Sequence, residues 1–419
     1  MKIRNWKKAA FGTAAAALVV TSAVSVQSKG SEADAASSRA KNVILFVGDG
    51  MGLAQRNAIR LATVGLNGKL AMDDMPYVGL VHTSSTSAVT DSAASATAYA
   101  SGVKTYNGAI GMDADKKSVT TILEYAKDKG MSTGIVTTSQ LTDATGAAFA
   151  AHVDDRSKQS DIALQYLTKA KVDVMLGGGE DFWYPAGKPG AFKDEPAEDP
   201  SEKSKGTQGD LVAKAKSLGY SYVTNKAGMQ KAKGKLLGLF ANEEMFQQKP
   251  EGEGDLYNPV VSLPDMTKKA IETLSSNKNG FFLVVEEEAT DEMAHSNNAK
   301  LTIRAGQELD KSVRIAKNFA AQHPDTLVLV LADHETGGFS IEAIDSGDES
   351  GDGISKEDGP FSIAKSDQKF VVDWTTSGHT AIDIPVTAIG AGAELFSGSY
   401  ENTEIFYKVA QALGIKVKK

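Results

Sequence analysis

Six apolar runs of strand length recur along the chain without apolar–polar alternation: VILFV (43–47), TGIVTT (133–138), VDVML (172–176), FFLVV (281–285), TLVLVL (326–331) and PVTAIG (385–390). A strand apolar on both sides of its pleat is one covered on both faces, the condition of a parallel sheet between two helical layers. Helical patterns fall between the runs, at 118–129, 159–170, 265–275, 299–320 and 402–413. This order predicts an α/β fold: a doubly wound, mainly parallel central sheet flanked by helices. Ligands of such sheets sit beyond the carboxyl ends of the strands. Two segments break the rhythm, 180–208, rich in Pro, Gly and charge, and 343–369, containing IDSGDESGDGISKEDG. Strands resume directly after each, so both read as surface insertions in one domain over 36–419. The second lacks EF-hand spacing and reads as a solvated acidic loop rather than a calcium site.

The first 35 residues belong to a different class of sequence. Lys2, Arg4, Lys7 and Lys8 precede an Ala-rich apolar run from Ala9 to Val26, and Ala33-Asp34-Ala35 follows. That is the pattern of a cleavable secretory signal, 1–35, too short in its apolar part for a membrane anchor with a stop-transfer flank, and it predicts a secreted, extracellular protein. Its removal takes away five basic and two acidic side chains and moves the formal charge from −8 to −11. A surface of that sign offers no nucleic acid-binding face. The chain has no cysteine, which excludes disulfides and thiolate metal sites and leaves packing and oxygen- or nitrogen-bound metals to stabilise it.

Metal-type ligands gather where the apolar runs end. Asp49 follows the first in GDGMG, Glu286 follows the fourth, Asp291 and His295 lie just beyond it, and Asp333-His334 follow the fifth. In a parallel sheet these side chains emerge at one rim. Asp/His mixtures without Cys suit zinc, and all-oxygen sets suit magnesium. Asp291 and His295 are one helical turn apart and able to grip one ion. His379, in the small-residue loop TSGHTA, is a third candidate histidine, whereas His82, His152 and His323 read as structural. The glycines around Asp49 do not make a dinucleotide fingerprint, because the fourth position and the helix phasing fail.

The block SAASATAYAS (92–101) is a helix of small side chains, with Thr90, Asp91 or Ser92 as its cap. Ser92 reads equally as a capping serine and as a nucleophile. A helix amino terminus favours an anionic phosphate, and a serine there touching zinc is ionised without a histidine base.

VILFVGDGMG, VTDSAASATAYASGVKTYNGAIG, TDATGAAFAAHVDDR, VEEEATDEMAH, LADHETGG and SGHTA, in that order, resemble the bacterial alkaline phosphatases over about residues 40 to 415. The resemblance implies hydrolysis of phosphate monoesters through a phosphoserine, with two Zn2+ and one Mg2+. It assigns Ser92 as nucleophile; Asp291, His295 and His379 to the first zinc; and Asp49, Asp333 and His334, with Ser92, to the second. Asp49 would also bridge to a magnesium held by Thr145 and Glu286, accompanied by Asp143. Arg156 would clamp two phosphate oxygens through its planar fork, with Asp91 beside the nucleophile. Inorganic phosphate is implied as product and inhibitor, and a homodimer as the assembly.

One position departs from the family pattern. Where many relatives carry Lys, His or Trp after the first-zinc aspartate, this chain has Glu292, close to Glu287 and Glu288. A carboxylate there weakens phosphate retention or recruits another cation, or it is a solvated glutamate at the pocket rim. Two other readings compete with the monoesterase: a diesterase or sulfatase of the same superfamily, and a non-catalytic phosphate- or metal-binding exoprotein. The presence of Ser92, Arg156 and all three ligand sets disfavours both.

Overall fold

A computed structural model describes residues 39–197, 199–246, 256–344 and 357–417. The expected signal segment 1–35 and most of the acidic loop, 345–356, lie outside the described residues.

Ten strands form the central sheet, in the spatial order Gly398–Glu401, Tyr77–His82, Ile384–Gly390, Thr326–Leu331, Asn42–Gly48, Phe281–Glu287, Ser132–Gln140, Val174–Gly178, Leu236–Leu239, Ser221–Val223. Every pairing is parallel except those of Ile384–Gly390, which runs antiparallel to both neighbours. The strands Asn42–Gly48, Phe281–Glu287 and Thr326–Leu331 are buried along their whole lengths, as their unbroken apolar sequences require. Each fully buried Val, Leu, Ile or Phe there contributes about 1.5–3 kcal/mol.

The reversed strand positions His379. In a parallel strand, a residue before the strand would lie at the opposite rim from one after it. Because Ile384–Gly390 runs the other way, with Thr387 opposite Val330 and Gly390 opposite Leu327, the chain entering it starts at the rim where Leu331 ends. His379 therefore arrives beside Asp333 and His334.

The register places the other candidates side by side. Val47 lies opposite both Glu286 and Leu331, and Thr137 lies opposite Glu286. The expected helix at 92–101 forms as Ser92–Ser101, with all ten residues buried; only small side chains let a helix come this close to its neighbours. The helix expected over 118–129 is confined to Ile122–Asp128, because Thr121 and Glu124 form a reciprocal capping box that fixes its start. The expected strand at 172–176 is shifted to Val174–Gly178. The segment 180–208 is anchored by Trp183, which is fully buried. The segment 343–369 is bordered by a three-stranded antiparallel sheet of Ser340–Ala343, Lys369–Asp373 and Asp358–Ser362. Phe339, Ile363, Phe370 and Trp374 pack there against Ala58 and Leu61 of the helix Leu53–Val64.

Candidate active site

Asp49 leaves the strand Asn42–Gly48 through Gly50, whose φ is +63°. A side chain on Gly50 would strike Oδ1 of Asp291, so a glycine is required for the two acidic loops to approach. The Gly50 N–H donates to Oδ1 of Asp333 at 3.2 Å, tying the first loop to a third.

Among the described residues, two groups bring three ligand atoms together: Asp291, His295 and His379, and Asp49, Asp333 and His334. In the first, His295 Nε2 lies 3.1 Å from Asp291 Oδ2 and 3.1 Å from His379 Nε2. In the second, His334 Nε2 is 3.2 Å from Asp333 Oδ2, 3.5 Å from Asp49 Oδ1 and 3.3 Å from Ser92 Oγ. The two groups share a wall, since the rings of His334 and His379 stack with centroids 3.6 Å apart. Asp49 reaches further with its other oxygen: Thr145 Oγ1 donates to Oδ2 at 3.2 Å. Glu286 stands beside them, one of its oxygens accepting from Thr137 at 2.7 Å.

The electrostatics of this cluster suit bound cations. Asp49 and Asp333 are almost wholly buried, as is Glu286, and Asp49 Oδ1, Asp333 Oδ2 and Glu286 Oε1 have no hydrogen-bond partner. Burial, then the charges of Asp333, Asp291 and Glu286, push the Asp49 carboxyl well up. Burial and Asp143 push Glu286 up to about 7. Burial also opposes ionisation of Asp291, but its hydrogen bond to His295 and the nearby His334 and His379 hold it below its usual range. The hydrogen bond that His295 donates to Asp291 raises His295 to about 9, against its burial. Such orphaned, mutually repelling oxygens with imidazole nitrogens among them fit divalent metals.

Ser92 is the first residue of its helix, and the cap is Asp91, which accepts from Ala94 N at 2.9 Å. The serine hydroxyl is therefore free of capping duty. Arg156 donates through Nη2 to both oxygens of Asp143, at 2.9 and 3.1 Å, and its Nη1 lies 3.6 Å from Asp91. Burial disfavours the guanidinium charge, but Asp143 and Asp91 more than restore it. Glu292 is half-buried, one residue past Asp291.

The remaining histidines lie outside these groups. His82 pairs with Asp383 at 2.8 Å, His152 with Glu124 at 2.9 Å, and His323 stacks on Phe319. Sequence reasoning missed Thr137 and Thr336. The Thr336 hydroxyl donates to Asp291 and lies 3.2 Å from His334 Nδ1, joining the two groups.

The alkaline phosphatase family profile matches residues 40–354 and 349–415. Alkaline phosphatase 3 of Bacillus subtilis is 33% identical over 441 residues, covering 90% of each chain. The alkaline phosphatase of Escherichia coli is 34% identical over 420 residues, covering 90% of this chain and 87% of its own. Among solved structures, the alkaline phosphatase of the Antarctic bacterium TAB5 superposes with a TM-score of 0.71 at 31% identity, covering 91% of this chain and 99% of that one.

Proposed function

The chain belongs to the alkaline phosphatase family, and on that premise we propose that it hydrolyses phosphate monoesters through a phosphoserine at Ser92, with two zinc ions and one magnesium ion as cofactors. The observation that carries this reading is the position of Ser92 Oγ, 3.3 Å from His334 Nε2 at the vertex of the second ligand group.

Asp291, His295 and His379 would hold the first zinc. Asp49, Asp333 and His334 would hold the second, and Asp49, Thr145 and Glu286 the magnesium. A variant of the TAB5 enzyme carries Mg in the M3 site. When bound, these ions supply Lewis-acid stabilisation of the developing alkoxide and lower the pKa of hydroxyl and water oxygens.

Arg156 holds the substrate: its fork, fixed on one side by Asp143, presents N–H groups to two phosphate oxygens. The amino terminus of the helix Ser92–Ser101 adds a favourable field for the dianion. Ser92 Oγ gives up its proton to solvent and bonds to phosphorus as the bond to the alcohol oxygen breaks, and the departing alkoxide takes a proton from solvent. Water then attacks from the opposite side, returning Ser92 and releasing inorganic phosphate. Phosphate bound by the same groups would inhibit.

Residues 1–35 would serve as an export signal. Leu53 and Ile382 are exposed beside a 680 Å³ cavity that they line with Phe339 and Ile341. The exposed apolar side chains Leu53 and Ile382, on a face that also carries Arg56, Arg60, Lys69 and Asp73, would suit a homodimer contact.

The test is hydrolysis of p-nitrophenyl phosphate before and after EDTA, with zinc and magnesium restored, alongside bis-p-nitrophenyl phosphate. Monoester turnover that is lost and regained with the metals is expected. Metal binding without turnover, or preference for the diester, would overturn the reading.

A further inference from the structure

The residue that stands between the two ligand groups is neither charged nor one of their ligands. Thr336 closes the short strand Glu335–Thr336, which pairs antiparallel with His379–Thr380 and sets Thr336 opposite His379. It is fully buried. Its backbone is held on both sides, the N–H donating to Gly50 O at 3.1 Å and the carbonyl accepting from Gln55 Nε2 at 2.7 Å. A β-branched side chain on so fixed a backbone has few χ1 choices. The hydroxyl therefore stands where Asp291 Oδ1 and His334 Nδ1 both meet it, the latter at 3.2 Å. Those two atoms are 4.0 Å apart, too far for a hydrogen bond of their own.

A hydroxyl carries one hydrogen, and a carboxylate only accepts. The hydrogen of Thr336 therefore goes to Asp291, and the lone pairs of its oxygen are what it turns towards His334. The imidazole answers with an N–H at Nδ1. We propose that Thr336 is a positioning residue for both zinc sites at once, through the directed chain His334 Nδ1–H to Thr336 O–H to Asp291 Oδ1. With Nδ1 and Oδ1 engaged in that chain, His334 Nε2 and Asp291 Oδ2 are the atoms left to bind metal. Nε2 is the nitrogen that lies 3.3 Å from Ser92 Oγ and 3.2 Å from Asp333 Oδ2. Oδ2 is the oxygen that lies 3.1 Å from His295 Nε2. One hydroxyl thus orients a ligand of each ion while touching neither, and partners of this kind commonly set metal affinity. The inference rests on the two zinc groups of the reading above.

The experiment titrates metal-free protein with zinc in competition with a chromophoric chelator, for wild type and for Thr336→Ser, Thr336→Ala and Thr336→Val. Two zinc equivalents are expected in wild type. Both are expected to bind about ten- to a hundredfold more weakly in Thr336→Ala and Thr336→Val, and to return to within about threefold of wild type in Thr336→Ser. Serine and alanine both lack the methyl and differ only in the hydroxyl, so their comparison holds even where the valine variant fails to fold. A packing role ranks the variants the other way, because valine fills the volume of threonine and serine does not. Zinc affinity in Thr336→Val equal to that of wild type, affinity in Thr336→Ser no better than in Thr336→Ala, or a loss confined to one of the two equivalents would each overturn the proposal. A wild type that takes up fewer than two zinc ions would overturn the metal assignments themselves, and the proposal with them.

Discussion

The Nε2 atoms of His295 and His379 face one another at 3.1 Å. Each ring is oriented by a carbonyl, which can only accept: Nδ1 of His295 donates to Ser377 O at 2.6 Å and Nδ1 of His379 donates to Thr90 O at 2.9 Å. With both rings neutral, the two Nε2 atoms are thereby left with lone pairs pointing at each other and at Asp291, a clash relieved by the proton whose pKa on His295 is raised to about 9 or by a metal ion. Two lone pairs at that separation need one or the other between them. Metal removal is therefore expected to cost stability as well as activity. For zinc at a hundred times its Kd, binding to the native state alone is worth about 2.7 kcal/mol. Calorimetry with and without chelator should show Tm falling by several degrees and recovering with zinc. An unchanged Tm would mean that the rings are held together without metal.

Gly50→Ala should abolish metal binding while sparing the fold. The added methyl would meet Asp291 Oδ1 and the Thr336 hydroxyl, at a φ of +63° that an L side chain rarely adopts. Zinc stoichiometry by elemental analysis is expected to drop, with the far-ultraviolet circular dichroism retained.

Arg156→Ala should raise KM and lower kcat/KM by about ten- to a hundredfold, the loss of a charge-assisted hydrogen-bonded clamp. Arg156→Lys should recover little, because an ammonium lacks the planar fork. Asp143→Asn acts through Arg156, so its effect should nearly vanish in the Arg156→Ala background. Steady-state kinetics on the four proteins measure that coupling.

His152 and Glu124 give a pH dependence separate from the metals. Burial disfavours the charged imidazole, but hydrogen bonds to Glu124 and to the carbonyl of Gly111 outweigh it and raise His152 above its ordinary value. Burial likewise opposes the Glu124 charge, and His152 and the Thr121 N–H overcome it and lower Glu124. A raised imidazole contributes stability that is fully present below its unfolded value and is lost as pH rises through the folded one. A lowered carboxylate contributes stability above its unfolded value that is lost as pH falls through the folded one. The pair therefore stabilises most at mildly acidic pH and least at alkaline pH. Glu124→Gln should lower Tm by on the order of 2 °C in the acidic window and by clearly less in the alkaline one, where the hydrogen bond from the Thr121 N–H remains but the imidazolium does not. A constant difference across pH would contradict the pairing.

The long buried strands and the Ser92–Ser101 helix were legible because each signal is dense: unbroken β-rich apolar runs, or ten small residues behind a capping aspartate. The short strands Ser221–Val223 and Leu236–Leu239 carry too few residues for a period to show. Tyr77–His82 joins the sheet with Val78 and Leu80 exposed, so it lacks the all-apolar pattern that marks the others. The charged candidates that the structure groups together stood out because Asp and His at strand ends are rare. Thr137 and Thr336 were not, since hydroxyls abound along the chain and only the register opposite Glu286 and the turn beside His334 give these two a task. His379 was found by its loop, and the antiparallel direction of the strand after it, which brings it to the right rim, could not be read from local sequence.

The central claim is that Ser92 carries the phosphoryl group. Mass spectrometry of protein acid-quenched during turnover of a phosphate monoester should find phosphate on the peptide containing Ser92, and none in Ser92→Ala, whose kcat is expected to fall by about three orders of magnitude. Turnover with the phosphate on another residue, or undiminished turnover in Ser92→Ala, would contradict the account.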